Sequence, residues 1–242
     1  SDTLFIPLLM KCKETNRPDW FFRDPFACEI VEKIDYDFSK YKKALKSSVG
    51  VGIRTGYFDK VALDIIETQK NAVIVNVGCG LDARFQRLKT KTPNSFTCYE
   101  LDLPEVISLR EKLLPNQTNN IFLKSSMFET EWMDLLKYKH PNESILFLIE
   151  GVLMYFGKDM IRTLFQNLAE RFPKSSLLFD STNSWMVKNC HKHDTVKYSN
   201  APFRLALDEI YEIETWSEKF KVTQVLHFTD FEEWKRSGVL YW

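Results

Sequence analysis

The stretch VIVNVGCGLDARFQRL at residues 73–88 has the residue types and the spacing of a cofactor-binding turn. Its hexapeptide GCGLDA begins at Gly78, continues with Cys79 and Gly80, and satisfies the pattern G-x-G-x-x-G/A of dinucleotide-binding folds. Glycine lets the backbone bend sharply and approach a ligand that a Cβ atom would exclude. The pattern predicts a cofactor site here, although it also suits a tight strand-to-helix turn without a ligand.

Asp82 within this turn favours one class of cofactor over another. In a dinucleotide site the first helical turn directs its free N–H groups at a pyrophosphate. A carboxylate there would repel the phosphate charges strongly in a partly desolvated cleft. S-adenosylmethionine has no phosphate, and it carries an ammonium group and a cationic sulfur, so Asp82 is compatible with it. Arg84 could pair with Asp82 and weaken this preference.

Acidic residues also end two later apolar runs. Glu100 and Asp102 in YELD stand where a carboxylate can accept hydrogen bonds from ribose hydroxyls, and Asp102 lies near the expected distance from the glycines. Strand alternation puts both on one side, and one of them could simply face solvent. Glu150 closes FLIE, at the carboxyl edge where open α/β sheets bind ligands. Its alternative interpretation is a solvated edge residue.

The elements that must position these residues are strands and helices in alternation. Several of the runs are almost continuously apolar, which is typical of strands covered on both faces. Strand–helix alternation of this length predicts right-handed crossovers and a mostly parallel sheet. The runs lie at residues 72–78, 95–102, 120–126, 144–151, 175–182, 221–228 and 238–242.

The first 71 residues predict a helical cap that belongs to the same domain as the core at residues 72–242. Asp24 followed by Pro25 is a helix start. The stretch GVGIRTG at 50–56 resembles a phosphate loop, but it lacks the preceding strand and the Lys-Ser/Thr ending, so we expect a helix there. Apolar residues four apart define one face of each helix: Phe26, Ile30 and Ile34, then Ile53, Tyr57, Val61 and Ile65.

The charge of the chain points to small-molecule chemistry. Its 242 residues include 33 Lys and Arg and 33 Asp and Glu. This balance gives no electrostatic reason to expect nucleic acid or an anionic membrane as a partner. No apolar run reaches the roughly 18 residues that would span a bilayer.

The cysteines and the first residues predict a cytoplasmic protein. The five cysteines are an odd number, are widely scattered and include no Cys-x-x-Cys pair, a pattern that suits neither a disulfide framework nor a structural zinc site. The opening SDTLFIPLLMKCKE lacks the basic-then-apolar order of a signal peptide. We therefore expect reduced thiols and a reducing compartment.

Five linked motifs resemble those of one known family. The motifs are DPFA, GIRTGYFDKVA, VIVNVGCGLDARFQRL, YELDLPEVISLR and LIEGVLMYF. Over residues 20 to 182 they resemble, in the same order and spacing, the family of leucine carboxyl methyltransferases and tetracenomycin-type polyketide O-methyltransferases. The resemblance implies a Rossmann-like, seven-stranded, mostly parallel sheet with an N-terminal helical cap. It also implies S-adenosylmethionine as the cofactor.

By position, the resemblance implies roles for four of the residues. Arg54 would bind the cofactor carboxylate, Gly78 would allow close approach of the backbone, Asp102 would bind the ribose, and Glu150 would bind the cofactor at the edge of strand four. A guanidinium can hold a carboxylate by two parallel hydrogen bonds. Without the resemblance, Arg54 would be interpreted as a surface residue of the cap helix.

One departure from the family lies after the third strand. The family commonly has Asp-Leu beside the adenine, whereas this chain has Ser126 and Met127. A serine hydroxyl can still form a hydrogen bond with the adenine amino edge, and a methionine can pack on the ring. The charge-assisted contact is missing, which predicts weaker cofactor binding.

Methyl transfer from a sulfonium is an in-line displacement, and the acceptor decides whether a base is needed. A carboxylate is already a nucleophile at pH 7, so orientation and desolvation would suffice. A phenol or alcohol would gain from a general base. The candidates are His191 and His193 on a possible lid at 183–204, and Tyr155 could contact the acceptor or cover the cofactor. The His-x-His pair also suggests a metal ligand, but no other ligand cluster completes a site.

These observations predict an S-adenosylmethionine-dependent O-methyltransferase that acts on a carboxylate or a phenol of a small molecule. A nicotinamide-dependent oxidoreductase could use the same glycines, but Asp82 opposes it and no Tyr-x-x-x-Lys pair is evident. A catalytically silent, methyltransferase-like binding module is the third hypothesis, and Ser126 is its best support.

Overall fold

The computed structural model describes residues 2–198 and 201–238. These residues form a sheet of five parallel strands in the spatial order β3-β2-β1-β4-β5. Because the order reverses between β1 and β4, their carboxyl ends border the crevice in which open α/β sheets bind ligands. The strands are β1 (Ala72–Val77), β2 (Phe96–Asp102), β3 (Asn120–Lys124), β4 (Ile145–Ile149) and β5 (Ser176–Phe179).

Helices precede the sheet and connect its strands, which confirms the predicted alternation. The N-terminal helices are α1 (Phe5–Thr15), α2 (Pro25–Lys33) and α3 (Leu45–Thr68). The connecting helices are α4 (Arg84–Lys91), α5 (Pro104–Leu113), α6 (Glu131–Lys139) and α7 (Lys158–Arg171), and α8 (Ser184–Lys188) follows the last strand.

The side chains that alternate along β1 pack into two clusters, one on each face of the sheet. Val73, Val75 and Val77 pack with residues of α6 and α7, whereas Ala72 and Ile74 pack with residues of α3 and α4. Successive side chains of a strand point to opposite faces, so a strand buried on both sides is apolar except where a polar side chain has partners, as Asn76 has in Glu100 and Arg84. All six residues of β1 are buried.

Both helices predicted in the N-terminal segment are present, although α2 ends at Lys33, one residue before Ile34. The Asp24 carboxylate accepts a hydrogen bond from the Ala27 N–H at 3.0 Å and caps α2, which begins at Pro25. Residues 50–56 lie within α3 and form no phosphate loop. Gly52 allows the helix to pack closely, because a Cβ atom there would lie 2.9 Å from the Phe21 ring.

The prediction of a seven-stranded sheet is wrong for the described residues. The run at 221–228 is irregular and mostly exposed, and a 3₁₀ turn begins at Phe228. Its polar groups bind side chains instead of a neighbouring strand: the Val222 N–H donates to Glu214, and Gln224 accepts from Tyr57. The last predicted strand, at 238–242, lies outside the described residues except for Gly238, which is in a turn.

The expectation of five reduced thiols is also wrong. Cys12 in α1 and Cys28 in α2 form a disulfide, whereas Cys79, Cys98 and Cys190 are free. The packing of α1 against α2 brings the first two together, and their spacing in the sequence carries no signal of it. The cysteines therefore no longer support the predicted cytoplasmic location. Within the described ranges, no helix combines the length and the hydropathy that crossing a membrane requires.

Candidate active site

A cavity of about 390 Å³ lies at the carboxyl ends of β1, β2 and β4. Small-molecule sites typically have volumes of roughly 300–1,000 Å³. Residues of α1, of the loop after β1, of the ends of β2 and β3, and of the turn after β4 form its wall. The cavity therefore lies where the strand order predicts a ligand site.

The glycines of the loop after β1 have backbone conformations that side chains disfavour. Gly78 has φ +68° and Gly80 has φ +51°. The N–H groups of Gly78 and Cys79 donate to the Leu101 carbonyl at 2.8 and 3.1 Å. A Cβ atom on Gly78 would lie 2.7 Å from Cγ2 of Val152, in the turn after β4. The sharp bend is thus present, and it brings the loop against that turn.

Asp102 at the end of β2 faces the cavity and holds the glycine loop. Its carboxylate accepts hydrogen bonds from the Gly80 N–H at 2.7 Å and the Leu103 N–H at 2.8 Å. Burial raises the pKa of Asp102, and these two hydrogen bonds oppose that rise. A carboxylate has about four lone-pair sites, so Asp102 can accept further hydrogen bonds from a ligand.

Glu100, the other acidic candidate on this strand, does not line the cavity. It is fully buried, 3.0 Å from Nη2 of Arg110 and 3.0 Å from Nδ2 of Asn76. The alternation along β2 does point both carboxylates the same way. Glu100, however, lies deeper in the strand, where α5 covers it with Arg110.

Asp82 lines the cavity with its charge balanced by three cations. Its carboxylate lies 2.5 Å from Lys11, 2.7 Å from Arg87 and 3.4 Å from Arg84. Burial would raise the pKa of Asp82, but Arg87, Lys11 and Arg84 hold it well below its usual range. The pairing with Arg84 was foreseeable from the sequence, whereas Lys11 stands 71 positions away in α1 and gave no signal.

Glu150 follows β4 and is a paired residue rather than a solvated one. Its side chain is 10% exposed. One carboxylate oxygen accepts from Nε of Arg54 at 3.0 Å and from the hydroxyl of Thr55 at 2.7 Å, and the other contacts Arg84. Burial opposes ionisation, but Arg84 and Arg54 lower the pKa of Glu150 below its usual value.

Arg54 projects from α3 into the site and is largely buried, which excludes the surface interpretation. Its side chain is 14% exposed, and Nη1 donates to Asp180 at 2.9 Å. Burial would lower the pKa of Arg54, but Asp180 and Glu150 raise it above its usual value. Asp180 follows β5, and sequence reasoning missed it because no motif marks that strand end.

Carboxylates outnumber cations among the largely buried ionisable residues in and behind this wall. There are seven of the former and five of the latter, so the region carries excess negative charge. Such a region attracts a cationic ligand and opposes a pyrophosphate. The carboxylates are Asp24, Asp59, Asp82, Glu100, Asp102, Glu150 and Asp180, and the cations are Lys11, Arg54, Arg84, Arg87 and Arg110.

The opposite side of the cavity is mostly apolar. Met127 is 7% exposed, and the rings of Phe128 and Phe156 lie 4.8 Å apart at 75°. The Ser126 hydroxyl accepts from the Phe128 N–H at 3.3 Å. Ser126, Met127, Phe128 and Phe156 all line the cavity. Such a wall suits a flat aromatic ring with a polar edge.

Tyr155 lines the cavity, whereas the two candidate histidines do not. Burial raises the pKa of Tyr155 to about 12, so its phenol is protonated at pH 7. His191 is exposed. His193 lies behind Tyr155. The centroid of the Phe203 ring is 6.1 Å from that of His193 and 5.7 Å from that of Tyr155. Burial lowers the pKa of His193, and its Nδ1 lies 3.1 Å from the Thr195 hydroxyl.

Comparison with known proteins gives one family match. The model of the family "Leucine carboxyl methyltransferase" matches residues 6–169. The chain is 26% identical over 206 residues to the tetracenomycin polyketide synthesis O-methyltransferase TcmP of Streptomyces glaucescens, covering 84% of this chain and 73% of that protein. It is 23% identical over 233 residues to the S-adenosyl-L-methionine-dependent methyltransferase dpfgK of Gibberella zeae, covering 88% and 77%.

A solved structure supports the same fold. The S-adenosylmethionine-dependent methyltransferase from Anabaena variabilis superposes with a TM-score of 0.50 at 11% identity, covering 78% of this chain and 84% of that one. At this identity the likeness concerns the fold alone. Other solved chains that resemble this one are longer, and it spans 21% of one and 57% of another.

Proposed function

We propose, from the premise that this chain belongs to the leucine carboxyl methyltransferase family, that it methylates an oxygen atom of a small-molecule acceptor. The family and the relatives establish the enzyme class and the cofactor: it is a methyltransferase that uses S-adenosylmethionine. The name of TcmP supports an oxygen acceptor. The observation that carries the proposal is the cavity at the strand reversal, with the glycine loop on its wall and excess negative charge around it.

The charges around the cavity fit S-adenosylmethionine better than a dinucleotide. This cofactor bears an ammonium, a sulfonium and a carboxylate, and is therefore a net cation. The carboxylates of Asp82 and Glu150 could face its ammonium group, while Lys11 and Arg54 could face its carboxylate. Lys11, Arg87 and Arg84 balance Asp82 itself, so the preference rests on the excess of carboxylates over the whole region, which opposes the two charges of a pyrophosphate. The excess negative charge disfavours the nicotinamide-dependent alternative.

The rest of the wall fits an adenosine. We assign the ribose hydroxyls to Asp102, which keeps acceptor capacity beyond its two backbone hydrogen bonds. We assign the adenine to Ser126 and Met127, beside the crossed rings of Phe128 and Phe156. Gly78, Cys79 and Gly80 would contribute backbone only, because a Cβ atom on Gly78 has no room.

The N-terminal helices are proposed to cap the bound cofactor. Lys11 and Leu8 of α1 line the cavity, and a Cβ atom on Gly80 would lie 3.0 Å from Leu4, just before that helix. The segment 183–204 is the proposed lid, and its described residues Val196 and Phe203 pack with Tyr155.

When bound, the cofactor would supply an electrophilic methyl group on a cationic sulfur, so that an acceptor oxygen could bond to the methyl carbon while neutral S-adenosylhomocysteine leaves in line. The chain contributes orientation and the exclusion of water by its apolar wall. Tyr155 is protonated at pH 7, so it can donate a hydrogen bond but is not a base. Of the described residues, no histidine lines the cavity. A carboxylate acceptor would need no base, whereas a phenol or alcohol would need one from elsewhere, so both acceptor classes enter the test.

Calorimetric titration with S-adenosylhomocysteine and with NADH tests the cofactor assignment. We expect the first to bind and the second not to bind, and the reverse result would reject the proposal. Incubation with methyl-labelled S-adenosylmethionine and a panel of small carboxylates and phenols tests the reaction. Labelled methyl esters or ethers would support it. Binding without transfer to any member of the panel would favour the silent-module hypothesis.

A further inference from the structure

The carboxylate of Asp180 connects three elements beside the cavity. One oxygen accepts from Nη1 of Arg54 in α3 at 2.9 Å, and the other accepts from the Gly151 N–H in the turn after β4 at 2.6 Å. Asp180 itself directly follows β5. Its side chain is 15% exposed, so water competes little for these contacts. It can therefore hold Arg54 against the turn.

Two carboxylates hold the guanidinium of Arg54 and leave one nitrogen open. Nε donates to Glu150 at 3.0 Å and Nη1 donates to Asp180, whereas Nη2 has no hydrogen-bond partner in the part of the chain that is described. Nη2 lies 2.7 Å from where a Cβ atom of residue 151 would stand, and Gly151 has φ +72°. Arg54 and Gly151 both line the cavity. The open nitrogen thus stands at the cavity wall.

Glu150 alone would hold Arg54 poorly, because it is shared. Its two oxygens also bind Thr55 and Arg84. An arginine side chain has many rotamers, and fixing it in one of them has an entropic cost. A single contact at Nε would leave the guanidinium free to tilt, whereas a second contact at Nη1 defines its plane. Asp180 supplies that second contact.

We infer that Asp180 is a positioning residue that orients Arg54 so that its open nitrogen meets the carboxylate of the bound cofactor. This inference rests on the proposed function, since it concerns the same cavity. Asp180 does not line the cavity, so it acts through Arg54. The consequence is selective: losing Asp180 weakens ligands that carry the amino-acid end, and leaves ligands that consist of the adenosine end alone.

The test compares two ligands in Asp180→Asn. S-adenosylhomocysteine carries the amino acid, whereas 5′-methylthioadenosine has the same adenosine thioether without it. We expect the dissociation constant of S-adenosylhomocysteine to rise about tenfold, the loss typical of one charge-assisted hydrogen bond, while that of 5′-methylthioadenosine stays within about twofold. An unchanged affinity for S-adenosylhomocysteine, or an equal loss for both ligands, would overturn the inference.

Two further variants keep the test decisive. Asp134→Asn removes an aspartate that pairs with Arg171 at 2.7 Å on the exposed surface, and it should change neither affinity. Gly151→Ala crowds Nη2 of Arg54 directly and should reproduce the selective loss, and the unchanged affinity for 5′-methylthioadenosine separates this loss from a folding defect in either variant. Failure of the wild-type protein to bind either ligand would instead reject the proposed function, before any variant is compared.

Discussion

Nζ of Lys11 lies 2.5 Å from Oδ1 of Asp82, and this contact joins the first helix of the chain to the loop after β1. Lys11 is 3% exposed and also lies 3.7 Å from Asp24, at the start of α2. The N-terminal helices and the glycine loop are therefore coupled by a buried cluster of charges. Folding of those helices completes the wall of the cavity, so stability and cofactor binding should change together.

Replacing Lys11 with methionine should weaken both properties. Asp82 and Asp24 would lose a buried cationic partner, and we expect the free energy of unfolding to fall by about 2 kcal/mol. The affinity for S-adenosylhomocysteine should fall as well. Urea unfolding and calorimetry measure the two effects. The control is Lys13→Met on the same helix, because Lys13 binds the carbonyls of Tyr41 and Lys42, away from the cavity. Equal cofactor affinity in both variants would contradict this.

Gly78→Ala should destabilise the loop, since it adds a side chain at φ +68° and 2.7 Å from Val152. The left-handed conformation alone costs an alanine about 1–2 kcal/mol, and the close contact adds to this. Gly157→Ala is a matched control, because Gly157 has φ −73° and nothing within 4 Å of the added Cβ atom. Denaturant unfolding and ligand titration should show a loss for the first variant only. Similar midpoints for the two would argue against the required bend.

Reducing the disulfide should lower stability. Cys12 and Cys28 are 16 positions apart. A disulfide that closes a loop of this length restricts the unfolded chain and raises the free energy of unfolding by about 3 kcal/mol. Urea unfolding with and without dithiothreitol should therefore give different midpoints. In the double variant Cys12→Ser/Cys28→Ser the reductant should have no effect, while Cys190→Ser should retain it. If the urea midpoint of the wild-type protein is the same with and without dithiothreitol, the disulfide is refuted.

Acid should destabilise the protein through the three buried carboxylates that arginines hold in their charged form. Arg87, Arg84 and their neighbours outweigh burial and lower the pKa values of Asp59, Asp82 and Glu150 below the usual 3.8 and 4.5. Because these folded-state pKa values are lower than those of the unfolded chain, the unfolded chain binds protons first as the pH falls. The contribution of the three carboxylates to the free energy of unfolding is therefore complete above about pH 5 and declines progressively below about pH 4.

Unfolding measured at several pH values between neutrality and pH 3 tests this sign. The free energy of unfolding of the wild-type protein should fall as the pH falls. That of Asp82→Asn should fall less steeply, because this variant lacks one of the titrating groups. A free energy that stays level or rises on acidification would show that these carboxylates are not held in their charged form.

The cofactor loop and the main strands could be read from the sequence because they depend on short-range patterns. The glycines after β1 and Asp102 at the end of β2 lie within 25 residues, and neighbouring parallel strands bring them to one edge of the sheet. Asp24 and Pro25 likewise define the start of α2 through local capping. Periodicity and capping are properties of neighbouring residues, so both can be recognised in the sequence without knowledge of the packing.

Other features were decided by which elements pack together. Alternation along β2 could not tell Glu100 from Asp102, because Arg110 of α5 determines which carboxylate is covered. The run at 221–228 has strand-like residues, but it does not pair with β5 at the edge of the described sheet, and its polar groups bind Glu214 and Tyr57 instead.

The sequence by itself determined the order of strands and helices, the glycine turn and the acidic strand ends, since each is encoded within a short stretch. Only the tertiary structure decided the partners of the buried charges and the Cys12–Cys28 pair. Lys11 with Asp82, and Arg54 with Asp180, join residues more than 70 positions apart. Such pairs form because the packed elements exclude water and bring the charges together, and no local pattern records that geometry.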